Sequence, residues 1–195
     1  MNAPADLISL RPFGGFGVVL ADPPWLFENY SAKGTAKNPN QHYACMPTDE
    51  ICAMPVEALA ATDAALFLWA TFPMLPDAMR TVSAWGFTYR SAAPWAKRSP
   101  RDTSWAFANG YWWRGAAELL IFATRGSPKR AETKAARSIR NLIIAPLREH
   151  SRKPEDAHRT AQIWFPEARK IELFARAPRA GWTVWGNETG KFADA

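Results

Sequence analysis

The sequence has few cysteines and few histidines, two and three respectively in 195 residues. Two cysteines cannot build the disulfide framework that stabilises small secreted domains. Cys45 and Cys52 are also not spaced with His42, His150 or His158 as the ligands of a zinc site would be. The composition therefore predicts a protein with neither a disulfide framework nor a bound metal.

Long hydrophobic runs are absent as well. No stretch approaches the roughly 18 apolar residues of a membrane-spanning helix, and the first residues lack the basic-then-apolar order of a secretory signal. We therefore expect a cytoplasmic protein that has no membrane partner.

The glycine-rich fingerprint that many nucleotide-binding folds carry after their first strand is missing too. Residues 13–17 (FGGFG) resemble it in composition, but they precede the first predicted strand instead of following it. We interpret this segment as a terminal loop, and the dinucleotide-binding signature is not present.

Aromatic and basic residues, in contrast, are abundant. Ten tryptophans occur in a chain whose hydrophobic content, 48%, is ordinary. This number exceeds the need of one core, and indoles at a surface stack well on flat ligands. The formal net charge is +6 and the isoelectric point is about 9.6, and a basic surface attracts polyanions. Together these features predict nucleic acid as a partner.

Short apolar runs alternate with amphipathic segments, which is typical of an α/β fold. The length fits one domain, residues 1–195, with terminal extensions at 1–14 and 191–195. Helices are predicted at 46–60, with Thr48 as N-cap and a break near Pro55, at 75–85, closed by Gly86, and at 155–164. Strands are predicted at 17–21, 64–69, 87–94, 118–124, 139–144, 171–175 and 183–185. The two long polar connections at 28–46 and 99–114 are candidates for function.

The tetrapeptide Asp22-Pro23-Pro24-Trp25 follows the first predicted strand directly. An ionised aspartate only accepts hydrogen bonds, so it can take one hydrogen of an exocyclic amine while a proline carbonyl takes the other. Two rigidly held acceptors would direct the nitrogen lone pair at an incoming methyl group, and proline suits such a turn because its φ is fixed. The Trp25 ring could stack on a base lifted out of its strand. A rigid turn with a packed tryptophan is the structural alternative.

This tetrapeptide resembles the catalytic signature of the amino methyltransferases, which modify N6 of adenine or N4 of cytosine. Its form here resembles the family named after the seventy-kilodalton catalytic subunit of the eukaryotic messenger-RNA adenosine methyltransferase, most closely the bacterial and phage branch. The resemblance implies S-adenosylmethionine as cofactor. It also implies a Rossmann-like methyltransferase fold, with a mostly parallel central sheet flanked by helices and a circularly permuted motif order.

Four further segments match that family in order, and they extend the resemblance over most of the chain. They are 31–34 with 42–43, 109–114 with Glu118, 150–154, and 170–176 with 185–188. The resemblance implies that the catalytic residues are Asp22, Pro23, Pro24 and Trp25. It implies that the cofactor contacts are Asp22, Lys153, Glu172, Arg176, Asn187 and Glu188. It implies that the substrate contacts are Tyr30, Lys33, His42, Tyr43, Lys97, Tyr111, Trp112, Arg114 and Glu118.

The residue pattern alone also allows an interpretation of some of these positions. Glu172 alternates with apolar neighbours on a strand, so its charge needs a partner, and we predict Lys153, in a pair that holds the amino-acid tail of the cofactor. Arg176 is equally consistent with cofactor contact and with the surface. Tyr111, Trp112 and Trp113 are either core residues or base-stacking residues, and we expect one of each among the three.

The function implied is transfer of a methyl group to N6 of adenine in nucleic acid, and the bacterial and phage resemblance favours DNA over RNA. The alternatives are an RNA adenosine methyltransferase, a cytosine N4 methyltransferase, and an inactive scaffold that binds nucleic acid beside a catalytic partner. The oligomeric state stays open between monomer and homodimer, with or without a partner subunit. A basic stretch that could follow a phosphate backbone, or could simply be solvated, comprises Arg125, Lys129, Arg130, Lys134, Arg137 and Arg140.

Overall fold

The computed structural model describes residues 4–26, 45–108, 110, 112–149 and 152–191. Within them lie six α-helices: α1 (Pro4–Ser9), α2 (Thr48–Cys52), α3 (Val56–Leu59), α4 (Leu75–Ala84), α5 (Lys134–Ser138) and α6 (Asp156–Trp164). The same residues form seven strands: β1 (Phe16–Ala21), β2 (Ala60–Ala70), β3 (Thr88–Arg98), β4 (Ala117–Arg125), β5 (Ile143–Pro146), β6 (Lys170–Leu173) and β7 (Thr183–Trp185).

The strands form one sheet in the order β5-β3-β4-β2-β1-β6-β7. The pairs β1–β2, β1–β6, β6–β7 and β3–β5 are parallel, whereas β4 runs antiparallel to both β2 and β3. Six strands therefore point one way and β4 points the other way. This arrangement confirms the predicted Rossmann-like α/β fold with a mostly parallel sheet.

Helices cover both faces of the sheet because the central strands are apolar on both sides. Val19 of β1 packs with residues of α2, α3 and α4 in one buried cluster. Leu20, the next residue, packs with Ala157 and Ala161 of α6 in the other. Successive strand residues point to opposite faces, so one short apolar run supplies two cores.

Several tryptophans are fully buried, and the ring N–H groups of Trp85 and Trp95 have backbone acceptors. Trp69, Trp85 and Trp95 are among the largest side chains with almost no exposed surface. The indole of Trp85 donates to the Ile51 carbonyl at 2.9 Å and that of Trp95 to the Ala145 carbonyl at 2.9 Å. Such an acceptor compensates for the hydration that a buried indole N–H loses.

The predicted helix at 46–60 consists of two short helices that are separated at Pro55, as expected. The predicted capping residue is wrong, because Thr48 is already helical and Pro47 occupies the cap position without a side-chain hydrogen bond. Gly86 does close α4, with a φ of 77°, a left-handed conformation that suits glycine.

Strand lengths differ more from the prediction. β3 continues past Pro94 to Arg98, because its second half pairs with β4 on one side and β5 on the other. Residues predicted as the beginning of β5 instead follow α5, which Thr133 caps through its hydroxyl at 3.1 Å from the Ala136 nitrogen. The helix α5 itself was not predicted, because five residues are too few to show a helical periodicity.

The sheet has two edges that matter below. We call the one where β1, β2, β3, β5, β6 and β7 end the carboxyl edge, and the opposite one the amino edge. β4 begins at the carboxyl edge because it runs the other way. No helix among the described residues is long and apolar enough to cross a membrane.

Candidate functional site

The predicted catalytic tetrapeptide lies at the carboxyl edge, directly after β1. The Pro24 carbonyl accepts a hydrogen bond from the Met46 nitrogen at 2.8 Å, and the Leu26 nitrogen donates to the Met46 carbonyl at 3.1 Å. The Trp25 nitrogen donates to the Pro23 carbonyl at 2.9 Å. The turn is thus held by its own backbone and by the segment before α2, so Asp22 has a fixed position.

The Trp25 ring is not placed to stack on a base. Its exposed fraction is 5%, and its indole donates to the Trp69 carbonyl at 3.1 Å. It belongs to the buried cluster that includes Val19 and Ile51. The structure therefore corrects the stacking prediction and favours the structural alternative, in which Trp25 anchors the turn to the core.

Two cations approach the Asp22 carboxylate, and both approach the same oxygen. Lys153 Nζ lies 3.0 Å from Oδ2 and Arg176 Nη2 lies 4.0 Å from it. A quarter of the Asp22 side chain, 25%, remains exposed. The carboxylate is therefore paired but reachable, as a group that meets a substrate must be.

Glu118 lies beside this pair and bridges two lysines. Lys97 Nζ lies 2.5 Å from its Oε1 and Lys153 Nζ lies 3.3 Å from its Oε2, and only 9% of the side chain is exposed. We call the resulting series Lys97–Glu118–Lys153–Asp22–Arg176 the ion-pair chain. Opposite charges alternate along it, so each carboxylate lies between cations.

The sheet topology explains why these five residues meet. Asp22 and Lys97 lie at the carboxyl ends of β1 and β3, Arg176 follows β6, and Lys153 precedes α6. Glu118 joins them because β4 is antiparallel and begins at the same edge. Ligand sites in α/β sheets usually lie outside the carboxyl ends of the strands, which is where the ion-pair chain lies.

Burial and neighbouring charges act on the pKa values of this chain. Burial raises the pKa of Asp22 above its ordinary value; the Lys153 ammonium opposes that rise and the Glu118 carboxylate adds to it. Burial tends to lower the pKa of Lys153, but Asp22 and Glu118 outweigh it and hold the pKa above its usual value. For Glu118, burial is outweighed by Lys153 and Lys97, which lower its pKa. Lys153 therefore stays a cation.

The predicted pair of Lys153 with Glu172 is wrong. Glu172 is aligned with Leu20 in the β1–β6 pairing, so it faces α6, where its Oε2 lies 2.8 Å from His158 Nε2. Lys153 instead extends over the end of β1 to Asp22 and Glu118. A direct cofactor contact of Glu172 stays a prediction, but its hydrogen-bond partner is the histidine.

A second charged group near the start of α6 was missed by the sequence analysis. Glu155 lies 2.5 Å from Arg179, 3.2 Å from Arg148 and 3.9 Å from Arg152. The Arg148 guanidinium also donates to the Lys153 carbonyl. This group fixes the backbone of Lys153. Arg179 is distant in sequence and the other members do not lie on one helix, so no sequence signal identified the group.

Asn187 and Glu188 follow β7 at the same edge. Glu188 is paired with Lys191 at 2.7 Å. A Cβ on Gly186 would lie 2.5 Å from the Ala175 carbonyl oxygen, so only glycine lets this turn approach the chain beyond β6 so closely. Among the described residues, no group of three or more His, Cys, Asp or Glu is arranged to hold a metal ion.

The family model described as MT-A70 matches residues 16–188, a range that includes the tetrapeptide, the ion-pair chain and the turn after β7. The chain belongs to the MT-A70 family. This finding confirms the resemblance that the motifs indicated.

Among relatives of this MT-A70 chain is the N(6)-adenosine-methyltransferase MT-A70-like protein of Arabidopsis thaliana. It is 31% identical over 94% of the chain but only 25% of its own length. The N6-methyladenosine RNA methyltransferase MTA1 of Pyricularia oryzae is 29% identical over 95% of the chain and 50% of its own length. The Type II methyltransferase M.MunI of a Mycoplasma species is 28% identical over 96% of the chain and 84% of its own length. The chain thus spans a quarter of the plant relative and most of the mycoplasma one.

The substrate-side predictions divide into three groups in the MT-A70 chain. Lys97 and Glu118 lie in the ion-pair chain. Trp112 and Trp113 are both 88% exposed, so both lie at the surface, and the core residue expected among 111–113 stays a prediction. Arg114 is exposed and its guanidinium lies 5.0 Å from the centre of the Phe107 ring. The remaining predicted contacts lie outside the described residues: Tyr30, Lys33, His42, Tyr43 and Tyr111.

The predicted phosphate-binding stretch lies at the amino edge, far from Asp22. It begins at Arg125, the end of β4, and the nine residues of that strand separate it from the carboxyl edge by about 26 Å at roughly 3.3 Å per residue. An open depression of about 310 Å³ lies at the amino edge too, lined by residues that include Phe16, Lys170 and Trp182. Neither feature adjoins the ion-pair chain.

Proposed function

We propose that this MT-A70 methyltransferase transfers a methyl group from S-adenosylmethionine to N6 of adenine in nucleic acid. The observation that carries the proposal is the position of Asp22, which lies at the tip of β1, partly exposed, 3.0 Å from the Lys153 ammonium. The Asp22 carboxylate, which can accept hydrogen bonds from the adenine amine, therefore lies beside the Lys153 ammonium, which can pair with the carboxylate of the cofactor.

Asp22 and the proline carbonyls orient the adenine amine in this proposal. Lys153 and Arg176 both approach Oδ2 of Asp22, so Oδ1 can accept an amine hydrogen without separation of the ion pair. The Pro23 and Pro24 carbonyls each accept one backbone hydrogen bond, and a carbonyl oxygen has two lone pairs. Two acceptors on a rigid turn hold the amine in one orientation, which is how a site without a strong base accelerates an alkyl transfer.

The residues around Asp22 fit S-adenosylmethionine. Lys153 remains cationic and suits the carboxylate of its amino-acid tail. Glu188 and Asn187 offer acceptors and a donor for the ribose hydroxyls. When bound, the cofactor supplies a methyl group that its sulfonium already activates.

Asp22 also accepts the proton that the methylated amine loses after transfer. The methylated amine is cationic until it loses a proton, and a carboxylate beside it can accept one. Burial raises the pKa of Asp22, which makes it a better acceptor than an exposed aspartate. Orientation of the amine comes first, and acceptance of the proton follows.

DNA is the substrate that we favour over RNA. The sequence resembles the bacterial and phage branch of the family. A relative that the chain matches over 84% of that protein's own length is the Type II methyltransferase M.MunI of a Mycoplasma species.

The test is transfer of a tritiated methyl group to single- and double-stranded DNA and RNA, followed by identification of the methylated nucleoside. We expect N6-methyladenine, with more product on DNA than on RNA. N4-methylcytosine as the product would contradict the adenine assignment. More product on RNA would reverse the substrate preference alone.

Calorimetry separates the enzyme from an inactive scaffold. We expect heat of binding from S-adenosylmethionine, since the tetrapeptide and Lys153 are intact. A folded protein that shows no heat of binding and no methyl transfer would support the scaffold instead.

A further inference from the structure

His158, in α6, is a buried titratable residue that has no part in the proposed function so far. Only 8% of its surface is exposed. Its Nε2 lies 2.8 Å from Oε2 of Glu172 on β6, and its Nδ1 lies 3.9 Å from Oε2 of Glu155, the residue before α6. The imidazole therefore lies between two carboxylates that belong to different elements of the fold.

The hydrogen bond to Glu172 and the packing around His158 fix the orientation of the imidazole. A carboxylate only accepts hydrogen bonds, so Nε2 of His158 carries a proton and donates it to Glu172. The Trp182 ring, directly before β7, packs on the imidazole with its centre at 5.1 Å and an angle of 73° between the planes. The imidazole is thus enclosed by α6, β6 and the chain before β7.

Glu172 lies on the same side of the sheet as Asp22 and close to it. It is aligned with Leu20 in the β1–β6 pairing. Asp22 follows Leu20 by two residues and so continues the same face, and strand geometry places the Cα atoms of Glu172 and Asp22 about 8 Å apart. Lys153, the partner of Asp22, precedes α6, the helix that covers this face. His158 therefore holds a carboxylate beside the proposed cofactor site.

The second carboxylate oxygen of Glu172 is left for another donor. His158 occupies Oε2, whereas no described residue donates a hydrogen bond to Oε1, and 20% of the side chain is exposed. A carboxylate that the protein holds by one oxygen presents the other in a fixed direction. Such a preorganised acceptor binds a ligand more tightly than a mobile one, because less conformational entropy is lost on binding.

We propose that His158 is a positioning residue for the cofactor: it holds Oε2 of Glu172 so that Oε1 accepts a hydrogen bond from S-adenosylmethionine bound beside Asp22 and Lys153. His158 does not touch the cofactor itself and acts through Glu172. Without the imidazole the glutamate side chain is free to change rotamer, and its ordering then opposes binding. The inference rests on the proposed function for the identity of the ligand, and it adds the residue that orients this acceptor.

The test is titration calorimetry of S-adenosylmethionine with the full chain, in which His158→Gln is compared with His158→Asn. The glutamine amide nitrogen reaches the position of Nε2 and can still donate to Glu172, whereas the shorter asparagine side chain reaches only the position of Nδ1. The same His158→Asn change is also made in a Glu172→Ala background. Thr81→Val is the matched control, because Thr81 is fully buried on α4, where its hydroxyl donates to the Asp77 carbonyl at 2.9 Å.

We expect His158→Asn to bind the cofactor about tenfold more weakly than the parent, the effect of one lost hydrogen bond to a charged group, and His158→Gln to stay within about threefold of it. Thr81→Val should bind as the parent does. In the Glu172→Ala background His158→Asn should cause no further loss, because two residues that act through one contact are not additive.

A second measurement needs only the parent and His158→Gln. Nitrogen-15 NMR of the histidine rings should show one ring protonated at Nε2, assigned to His158 by its absence in His158→Gln. That resonance should shift when S-adenosylmethionine is added, because the cofactor binds the carboxylate to which Nε2 donates. This measurement remains decisive if His158→Asn does not fold, which its thermal midpoint reveals.

Four results would overturn the inference: equal affinity of His158→Asn and the parent, an equal loss in His158→Gln and His158→Asn, additive losses from His158→Asn and Glu172→Ala, and a His158 resonance that the cofactor does not shift. The second and third would show that the imidazole only supports the packing of α6. Each of the four, with a parent that binds the cofactor, contradicts this inference alone. A parent that binds no S-adenosylmethionine would contradict the proposed function and this inference with it.

Discussion

Both edges of the sheet carry cations, but the partners of these cations and the direction of their pKa shifts differ. At the carboxyl edge, Lys153 lies between two carboxylates, and its pKa is held above the usual value despite burial. At the amino edge, the buried Lys170 ammonium donates to the Pro166 and Ala168 carbonyls, and burial lowers its pKa. Lys153 therefore stays charged beside the partly exposed carboxylate of Asp22, whereas Lys170 stabilises a turn through hydrogen bonds to two backbone carbonyls.

The comparison shows that positive charge by itself does not locate a site. The basic stretch at 125–140 has six cations, but they are mostly exposed and lie at the edge away from Asp22. A functional site needs cations that are paired with a carboxylate, and that carboxylate must stay partly exposed to a substrate, as Asp22 does. In this chain that combination occurs where strands of both directions meet at the carboxyl edge.

The largest expected effect is on methyl transfer. Asp22→Ala removes the acceptor that orients the amine, and we expect the turnover number to fall by about a thousandfold, the upper range for loss of one such group. Cofactor binding should remain measurable by calorimetry. The control at the amino edge is Asp63→Ala, whose carboxylate accepts from the Ser127 nitrogen at 2.7 Å. Turnover retained in Asp22→Ala would reject the role of this residue.

The next effect is on stability. Glu118→Gln leaves two buried ammonium groups without their shared carboxylate, so we expect the free energy of unfolding to fall by about 3 kcal/mol at pH 7. The pKa of Glu118 is lowered in the folded state, so its contribution is present above the unfolded pKa, about 4.3, and is lost as the pH falls through the folded value. Urea unfolding at pH 7 and pH 3 measures both differences.

Glu132→Gln is the matched control for stability. Its exposed pair with Arg137, at 3.5 Å, belongs to the basic stretch, and we expect no measurable change. An equal loss in both variants, or a Glu118→Gln difference that does not shrink in acid, would show that the ion-pair chain contributes no more than a surface pair.

Cofactor affinity should change by a smaller factor. Lys153→Met removes the charge-assisted contact to the cofactor carboxylate, and we expect ten- to hundredfold weaker binding of S-adenosylmethionine by calorimetry, about 1.5 to 3 kcal/mol. Lys170→Met, at the amino edge, should bind it as the parent does. Unchanged affinity of Lys153→Met would place the cofactor tail elsewhere.

The smallest expected effect is on the salt dependence of nucleic-acid binding, which reports contacts with phosphates. Lys129→Ala/Arg140→Ala should leave the salt dependence of binding to a DNA single strand unchanged, because both residues lie at the amino edge. Arg114→Ala, at a predicted substrate contact, should lower the slope of log affinity against log salt by about 0.7, the contribution of one phosphate contact on a single strand. Anisotropy titrations at four salt concentrations measure the slopes. The opposite pattern would show that the nucleic acid lies along the basic stretch.

Much of the fold was predictable because it depends on local patterns. The apolar run of β1 stops at two prolines, and the alternation of such runs with amphipathic segments indicated an α/β sheet. The extension of β3 past Pro94 was not predictable, because β4 and β5, distant in sequence, hold it in the sheet. The role of Trp25 was also undecided, since a tryptophan after a turn is compatible with either core or surface.

The sequence by itself determined which chemical groups the site can use. These are an aspartate at the end of a buried strand, a lysine before a helix, and a surplus of aromatic and basic residues. Only the tertiary structure decided which charges meet. Because β4 runs antiparallel, Glu118 lies at the carboxyl edge between Lys97 and Lys153, and because Glu172 is aligned with Leu20 it faces α6 and His158. Strand direction and register are set by contacts between distant segments, so the partners of a charge on a strand cannot be read from its own neighbours.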